Sequence, residues 1–200
     1  RKFISASSKL GFALGVTPSL KSIPEPNKYK SANEKIVLGI IGCNGMGAAD
    51  MNNALKQSNV ECAMIADVDE SVRNRYGQLV NKTQGKTPML ENDFRKLLEN
   101  KDIDGVIIGT PDHWHCLSAI YACQAGKDVY VEKPMANSIG ECNLMVKATR
   151  KYNRVVQVGQ QQRSGEHFSS AMKLIHDGGI GQLRKVNIWG FFPYGLGQAK

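Results

Sequence analysis

The sequence predicts an α/β fold organised as a doubly wound parallel sheet. Three observations carry that expectation. From Ile36 onward, short apolar runs alternate with longer amphipathic ones. The apolar runs lack a polar face, as strands covered by helices on both sides do. A glycine-rich turn, "GIIGCNGMG" at residues 39–47, joins the first apolar run to the first amphipathic one.

Taken in order, "KIVLGIIGC" reads as a buried strand, and "GAADMNNALKQS" as a helix with Met51 and Leu55 one turn apart. "VECAMIAD" is a strand. "DESVRNRYGQLVNK" is a helix with Val72, Tyr76 and Leu79 on one face, and "ENDFRKLLENKD" is a short helix. "DGVIIGT" is a strand, and "DHWHCLSAIYACQAG" a helix started by Asp112 as its cap and ended by Gly126. "KDVYVEKP" is a strand. "NSIGECNLMVKATRKYN" is a helix whose Ser138 and Glu141 form a capping box. "RVVQVGQ" is a strand, and "EHFSSAMKLIHDG" a helix with Phe168, Met172 and Ile175 in line, closed by Gly178 and Gly179. A further strand is expected from Leu183. No internal repeat is visible.

The chain carries a net charge of +8, but residues 1–35 hold seven Lys or Arg against two Glu. The remainder is close to balanced and shows no basic stripe interleaved with aromatics, which argues against a nucleic-acid partner. Residues 1–20, "RKFISASSKLGFALGVTPSL", are basic, then mildly apolar and rich in small residues. They resemble an export signal of the twin-arginine type with its start missing, and imply a periplasmic or otherwise exported protein. A disordered basic tail on a cytoplasmic protein is the alternative. Residues 21–35, rich in polar residues and holding two prolines, read as a linker. Both ends look cut, so the chain is expected to be the N-terminal piece of a longer protein. No later stretch approaches the roughly 20 apolar residues that span a bilayer. The five cysteines, Cys43, Cys62, Cys116, Cys123 and Cys142, form no C-x-x-C pair, and no disulfide framework is expected.

In a parallel sheet with right-handed crossovers, ligands bind at the carboxyl edge of the strands. Chemistry is therefore sought there. Gly42 and Gly47 occupy the first and third places of a G-x-G-x-x-G loop, whereas Asn44 fills the second. Gly42 permits the tight turn, Gly47 lets the helix pack on the strand, and the helix N-terminus offers N–H groups to a pyrophosphate. Asn tolerates left-handed backbone, so residue 44 is expected in such a conformation beside Gly45. A generic strand-to-helix turn is the plainer reading of the loop alone. Asp67 closes the next apolar strand, 20 residues after Gly47, where an acid accepts from ribose hydroxyls and repels a 2′-phosphate. This favours NAD over NADP, with a helix-capping aspartate as the alternative.

"GTPDHWHC" holds Asp112, His113, His115 and Cys116, but residues one or two apart at a helix start diverge. No metal is expected. One or both histidines should face the carboxyl edge. "YVEKPM" places Glu132 and Lys133 at a strand end, before Pro134. Oxidising an alcohol needs a group to take the hydroxyl proton, and a lysine does this when burial and a nearby positive ring ease loss of its own proton. An exposed Lys–Glu pair in a turn is the alternative.

Together, "GIIGCNGMG", "TPDHWH", "VEKPM" and "VGQQQRS" resemble the Gfo/Idh/MocA oxidoreductases, relatives of glucose–fructose oxidoreductase and inositol dehydrogenase. The resemblance covers residues 36–200. It implies a Rossmann-type domain over 36–160 and, from 161, the incomplete start of a substrate and oligomerisation domain. That second domain is α+β, with an open, mostly antiparallel sheet. It implies NAD as cofactor, with NADP the lesser candidate. The loop residues Gly42, Cys43, Asn44, Gly45, Met46 and Gly47 would bind it, together with Asp67. Thr110, Pro111 and His115 would form the loop beneath it. Glu132, Lys133, Gln160 and Arg163 would lie toward the nicotinamide. Lys133 would be catalytic, assisted by an Asp and a His beyond residue 200, so the chain alone should be poorly active. The implied substrate is a sugar, polyol or glycoside, and the full-length protein should be a homo-oligomer. Two other functions fit the same residues: an NAD-assisted glycoside hydrolase or lyase working through a transient keto-sugar, and a non-catalytic nucleotide-binding sensor.

Overall fold

The computed structural model describes residues 35–189. The expected export segment, most of the linker, and the end of the strand expected from Leu183 lie outside these residues. Six parallel strands form one sheet: β1 (Ile36–Ile41), β2 (Val60–Ala66), β3 (Met89–Glu91), β4 (Gly105–Ile108), β5 (Asp128–Glu132) and β6 (Val156–Gly159), in the order β3-β2-β1-β4-β5-β6. The strand order reverses between β1 and β4, which pair directly from Leu38–Gly105 to Ile41–Ile108. Their carboxyl ends therefore open a crevice where the fold places a nucleotide.

Helices lie on both faces, and the α1 side is left open over β4 to β6. On one lie α1 (Met46–Ala54) and α2 (Glu70–Gln84). Ile40, Met51, Ile65, Val72, Val80 and Ile107 pack between them and the sheet. On the other lie α3 (Phe94–Glu99), α4 (His115–Gln124) and α5 (Ile139–Lys151). Leu97, Ile108, Ala119, Val131 and Met145 fill that side. This is the doubly wound Rossmann-type sheet that the alternation predicts.

Local chemistry sets the helix ends. Asp69 caps α2 by accepting from the N–H groups of Ser71 and Val72, and Gly85 closes it with φ of 73°. Ser138 and Glu141 form the expected capping box on α5. Lys127 is buried, and its ammonium donates to the carbonyls of Asn100 (2.7 Å) and Ile103 (2.8 Å), tying the end of α3 to the start of β5. All five cysteines are free. Among the described residues no helix is long and apolar enough to cross a membrane.

Three expectations are corrected, and one strand, β3, has no counterpart in the sequence pattern. Asp112 does not cap α4: it opens a 3-10 turn (Asp112–Trp114), and its carboxylate accepts from the N–H of His113. In α2 the buried positions are Val72, Gly77 and Val80, while Leu79 is exposed, because the helix turns Val80 inward. β3 is an edge strand of three residues, too short to show a period. No strand forms at 183–189: these residues are irregular and exposed, with no neighbouring strand to pair with among the described residues. The helix α6 (Glu166–His176) matches its expected span, yet Phe168 and Met172 on its apolar face are exposed.

Candidate nucleotide site

The turn after β1 is built around glycines. Gly42 has φ of 77° and Gly45 φ of 54°, backbone that a side chain disfavours. A Cβ at Gly42 would lie 2.7 Å from the Thr110 nitrogen, and one at Gly47 would strike the carbonyl oxygen of Gly42. The loop thus packs glycine on glycine so that α1 begins close against the end of β4. Asn44 is not left-handed as expected: Gly45 takes the positive φ in its place. The Asn44 side chain turns outward, and Arg75 of α2 reaches it, Nη2 to Oδ1 at 3.3 Å. A cation therefore sits beside the loop. No side chain caps α1, and its first turn carries no acid. The Gly47 N–H turns back to the Asn44 carbonyl oxygen at 3.2 Å, and the positive end of the helix meets no acid of its own, as an anion-binding helix start requires.

Asp67 lies at the end of β2. Its Oδ2 accepts from the N–H of Cys43 at 2.9 Å, and its Oδ1 from that of Asp69 at 3.0 Å. Two backbone donors fix the carboxylate beside the loop and leave acceptor capacity for hydroxyls. Arg73 spends its guanidinium on the Asp67 carbonyl oxygen, 2.5 Å away. Cys43 is buried beneath Asp67, and burial, then that negative charge, push its thiol up to about 12. It therefore contributes backbone to the site and no reactive sulfur.

Gly42, Asn44, Asp67, Thr110 and Pro111 share one cleft of about 650 Å³. Its outer wall is an aromatic group not singled out from the sequence: Phe94 meets Trp114 edge-on at 6.4 Å and Tyr121 at 6.0 Å. Asn92, Asp93, Arg95 and His113 complete it. No motif marks these residues: Asn92 to Arg95 follow a three-residue strand, and His113, Trp114 and Tyr121 belong to the turn and helix after β4. The cleft fits an adenosine: aromatic and apolar walls for the base, Asp67 for the ribose, and the glycine loop for the phosphates.

His115 does not line this cleft. It is 1% exposed, with Nδ1 2.7 Å from the Pro134 carbonyl oxygen and Nε2 2.8 Å from that of Thr110. It holds the 110 loop to the 134 turn instead of facing a ligand. Glu132 is buried at the end of β5, and its Oε2 accepts from the Lys133 N–H at 3.1 Å. The Lys133–Pro134 peptide bond is cis. Lys133 is exposed, so residues 35–189 do not supply the burial expected of it. Gln160 and Arg163 are exposed just beyond β6, in and before a 3-10 turn. The carboxyl edge thus gathers two groups of residues, the aromatic-walled cleft at β1, β2 and β4, and the Glu132–Lys133 corner at β5 and β6. One member of the second group was missed: Asp50 of α1, whose carboxyl meets Glu132. Among the described residues no cluster of three or more His, Cys, Asp or Glu could hold a metal.

Residues 36–160 match the Gfo/Idh/MocA oxidoreductases, an oxidoreductase family with an NAD-binding Rossmann fold. The chain belongs to this family. Its residues 36–160 are accordingly an NAD-binding Rossmann domain. Similar proteins include an uncharacterized oxidoreductase, YrbE, of Bacillus subtilis, 28% identical over 155 residues, or 78% of this chain and 44% of that protein. Another is an alpha-N-acetylgalactosaminidase of Shewanella oneidensis, 27% identical over 171 residues, or 80% of this chain and 37% of that protein. Among solved structures, the scyllo-inositol dehydrogenase of Lactobacillus casei with NAD(H) and scyllo-inositol superimposes with a TM-score of 0.66. It is 24% identical, and the match covers 74% of this chain and 43% of that one. The chain spans less than half the length of these relatives.

Proposed function

We propose that this chain is the cofactor-binding part of an NAD-dependent dehydrogenase acting on a carbinol of a sugar, polyol or glycoside. The observation that carries the reading is the convergence of the glycine loop, Asp67 and the Glu132–Lys133 corner on one carboxyl edge. When bound, NAD would supply the hydride acceptor. The chain's own residues divide the remaining work. The α1 N-terminus, the 42–47 loop and Arg75 receive the phosphates, and Asp67 orients the adenosine ribose and disfavours a 2′-phosphate. Thr110 and Pro111 form the floor, held by His115. Glu132 anchors the strand end beside the nicotinamide, with Gln160 and Arg163 nearby. Lys133 stands free at that end, placed to hold the substrate hydroxyl proton as it leaves. The exposure of Lys133 fits a group that a substrate domain closes over.

The test is turnover of the intact protein with NAD against a panel of inositols, hexoses and glycosides, followed by nicotinamide absorbance. Reduction of NAD by at least one polyol or sugar is expected. Binding of NAD with no turnover on any of them would favour a sensor.

A second reading is supported by the glycosidase among the relatives. There, oxidation of the sugar would be transient and the net result would be loss of the glycosidic group. Release of sugar from an aryl glycoside without net NAD reduction would select it. Export through residues 1–20 and homo-oligomerisation of the intact protein belong to the same proposal. Fractionation of the native host and light scattering test them.

A further inference from the structure

The Glu132 corner is gripped from the side of α1 by a group that none of the motifs contains. The Asp50 carboxyl lies against that of Glu132, and each contributes one buried oxygen, Asp50 Oδ2 and Glu132 Oε1, that no N–H or O–H donor reaches. Two carboxylates in this position offer only acceptors to each other, whereas one proton between them satisfies both oxygens. β6 leaves room for the contact through Gly159. A Cβ there would stand 2.6 Å from Glu132 Oε1 and 2.8 Å from the Tyr130 hydroxyl. Asp50, Tyr130 and Gln157 line an open hollow of about 610 Å³, whereas Glu132 lies behind them.

We propose that Asp50 is a positioning residue for the cofactor corner: it donates a proton to Glu132 and thereby couples the helix that starts at the phosphate loop to the strand end that carries Lys133. The inference rests on the NAD-dependent reading above. Burial, then the charge of Glu132 and the hydrogen bond to it, push the Asp50 carboxyl up to about 6. Below that pH the contact is a hydrogen bond; above it, two like charges face each other. Tyr130 is the other titratable group against the pair. Burial, then the charges of Asp50 and Glu132, hold its phenol above the ordinary range, so it stays neutral. Asp104 and Asp128 line the same hollow at the opposite, amino ends of the strands. Lys133 meets Glu132 only through its backbone N–H.

The experiment compares intact wild-type protein with Asp50→Asn and Asp50→Ala by two readouts. Infrared difference titration without cofactor should show a carboxylic acid band in the wild type that disappears near pH 6, where the Asp50 carboxyl is pushed up to about 6, and is absent from both variants. NADH, whose reduced ring is uncharged, should bind the wild type about fivefold more weakly above that step than below it. Asp50→Asn keeps a donor toward Glu132, and should bind at the low-pH wild-type strength with no step. Asp50→Ala should bind weakly at every pH, so that asparagine rescues what alanine loses. A wild-type band that vanishes in the ordinary aspartate range overturns the shared proton, whether or not NADH binds. A shared proton with identical NADH profiles in all three proteins overturns the positioning role. Failure of the wild type to bind NADH at any pH overturns the functional reading and the positioning role together, while the infrared titration still decides the carboxyl pair.

Discussion

Nδ1 of His115 lies 2.7 Å from the carbonyl oxygen of Pro134, and the same ring reaches the Thr110 carbonyl with Nε2. A neutral imidazole has one N–H, so donating to both carbonyls takes both nitrogens protonated. Either way the ring fastens the loop after β4 to the turn after β5. His115→Ala is expected to lower stability by about 1–3 kcal/mol, the cost of leaving buried acceptors unmet. It should also weaken NAD binding, because the floor of the cleft loses its support. Chemical denaturation and an NAD titration on the same preparation check both.

Asp67 is held by two backbone donors, so its replacement should act on the ligand more than on the fold. Asp67→Asn is expected to weaken NAD binding by roughly 10- to 100-fold, the worth of charge-assisted hydrogen bonds to the ribose. NADP should lose less or gain, since the repulsion is gone. Dissociation constants for the two cofactors, measured side by side, decide it. An unchanged NAD to NADP ratio would place the adenosine elsewhere.

Stability should follow pH through Asp50. Its carboxyl is raised from 3.8 to about 6 in the folded chain, so the folded state holds this proton more tightly than the unfolded one. The contribution is therefore present below the ordinary value and lost as pH rises to about 6. Asp50→Asn removes that loss. It should stabilise the protein above that window by about 1 kcal/mol, discounted for the half-exposed position, and the advantage should fade on acidification. Thermal unfolding across the window measures it.

Lys127 carries no catalytic expectation and serves as a contrast. Its ammonium meets two carbonyls at the amino edge of the sheet, opposite the site. Lys127→Met should cost about 1–3 kcal/mol of stability and leave NAD affinity of the folded protein unchanged, as denaturation and binding measured together will show.

The thiols should react in order of burial. Cys142 is half-buried, whereas Cys43 and Cys62 are buried and pushed up to about 12 by that burial. Maleimide labelling followed by peptide mass spectrometry should find Cys142 first and those two last.

What could be read from the sequence follows the strength of each local signal. The long apolar runs of β1, β2, β4 and β5 and the capped helices α2 and α5 were legible because period, cap and breaker agree there. β3 was not, since three residues at an edge carry no period. At Asn44, tolerance of left-handed backbone is shared with its neighbour, and glycine at 45 takes that conformation at lower cost. Asp112 looked like a cap but started a 3-10 turn, a difference of a few backbone degrees. In the site, Gly42, Gly47, Asp67 and Glu132 announce themselves by spacing. Asp50 and the Phe94–Trp114–Tyr121 wall do not, because their partners come from strands and helices far away in the chain. His115 was legible as a residue of the carboxyl edge, but its place behind the cleft depends on the Pro134 carbonyl, 19 residues on.

The role of Lys133 is tested most directly by Lys133→Ala in the intact protein, with NAD affinity and turnover measured on the same sample. Lys133 is exposed beside a cofactor corner whose Glu132, Asp50 and His115 contacts do not use its ammonium. Turnover is expected to be lost while NAD binds within about threefold of wild type. Turnover at the wild-type rate would contradict that role.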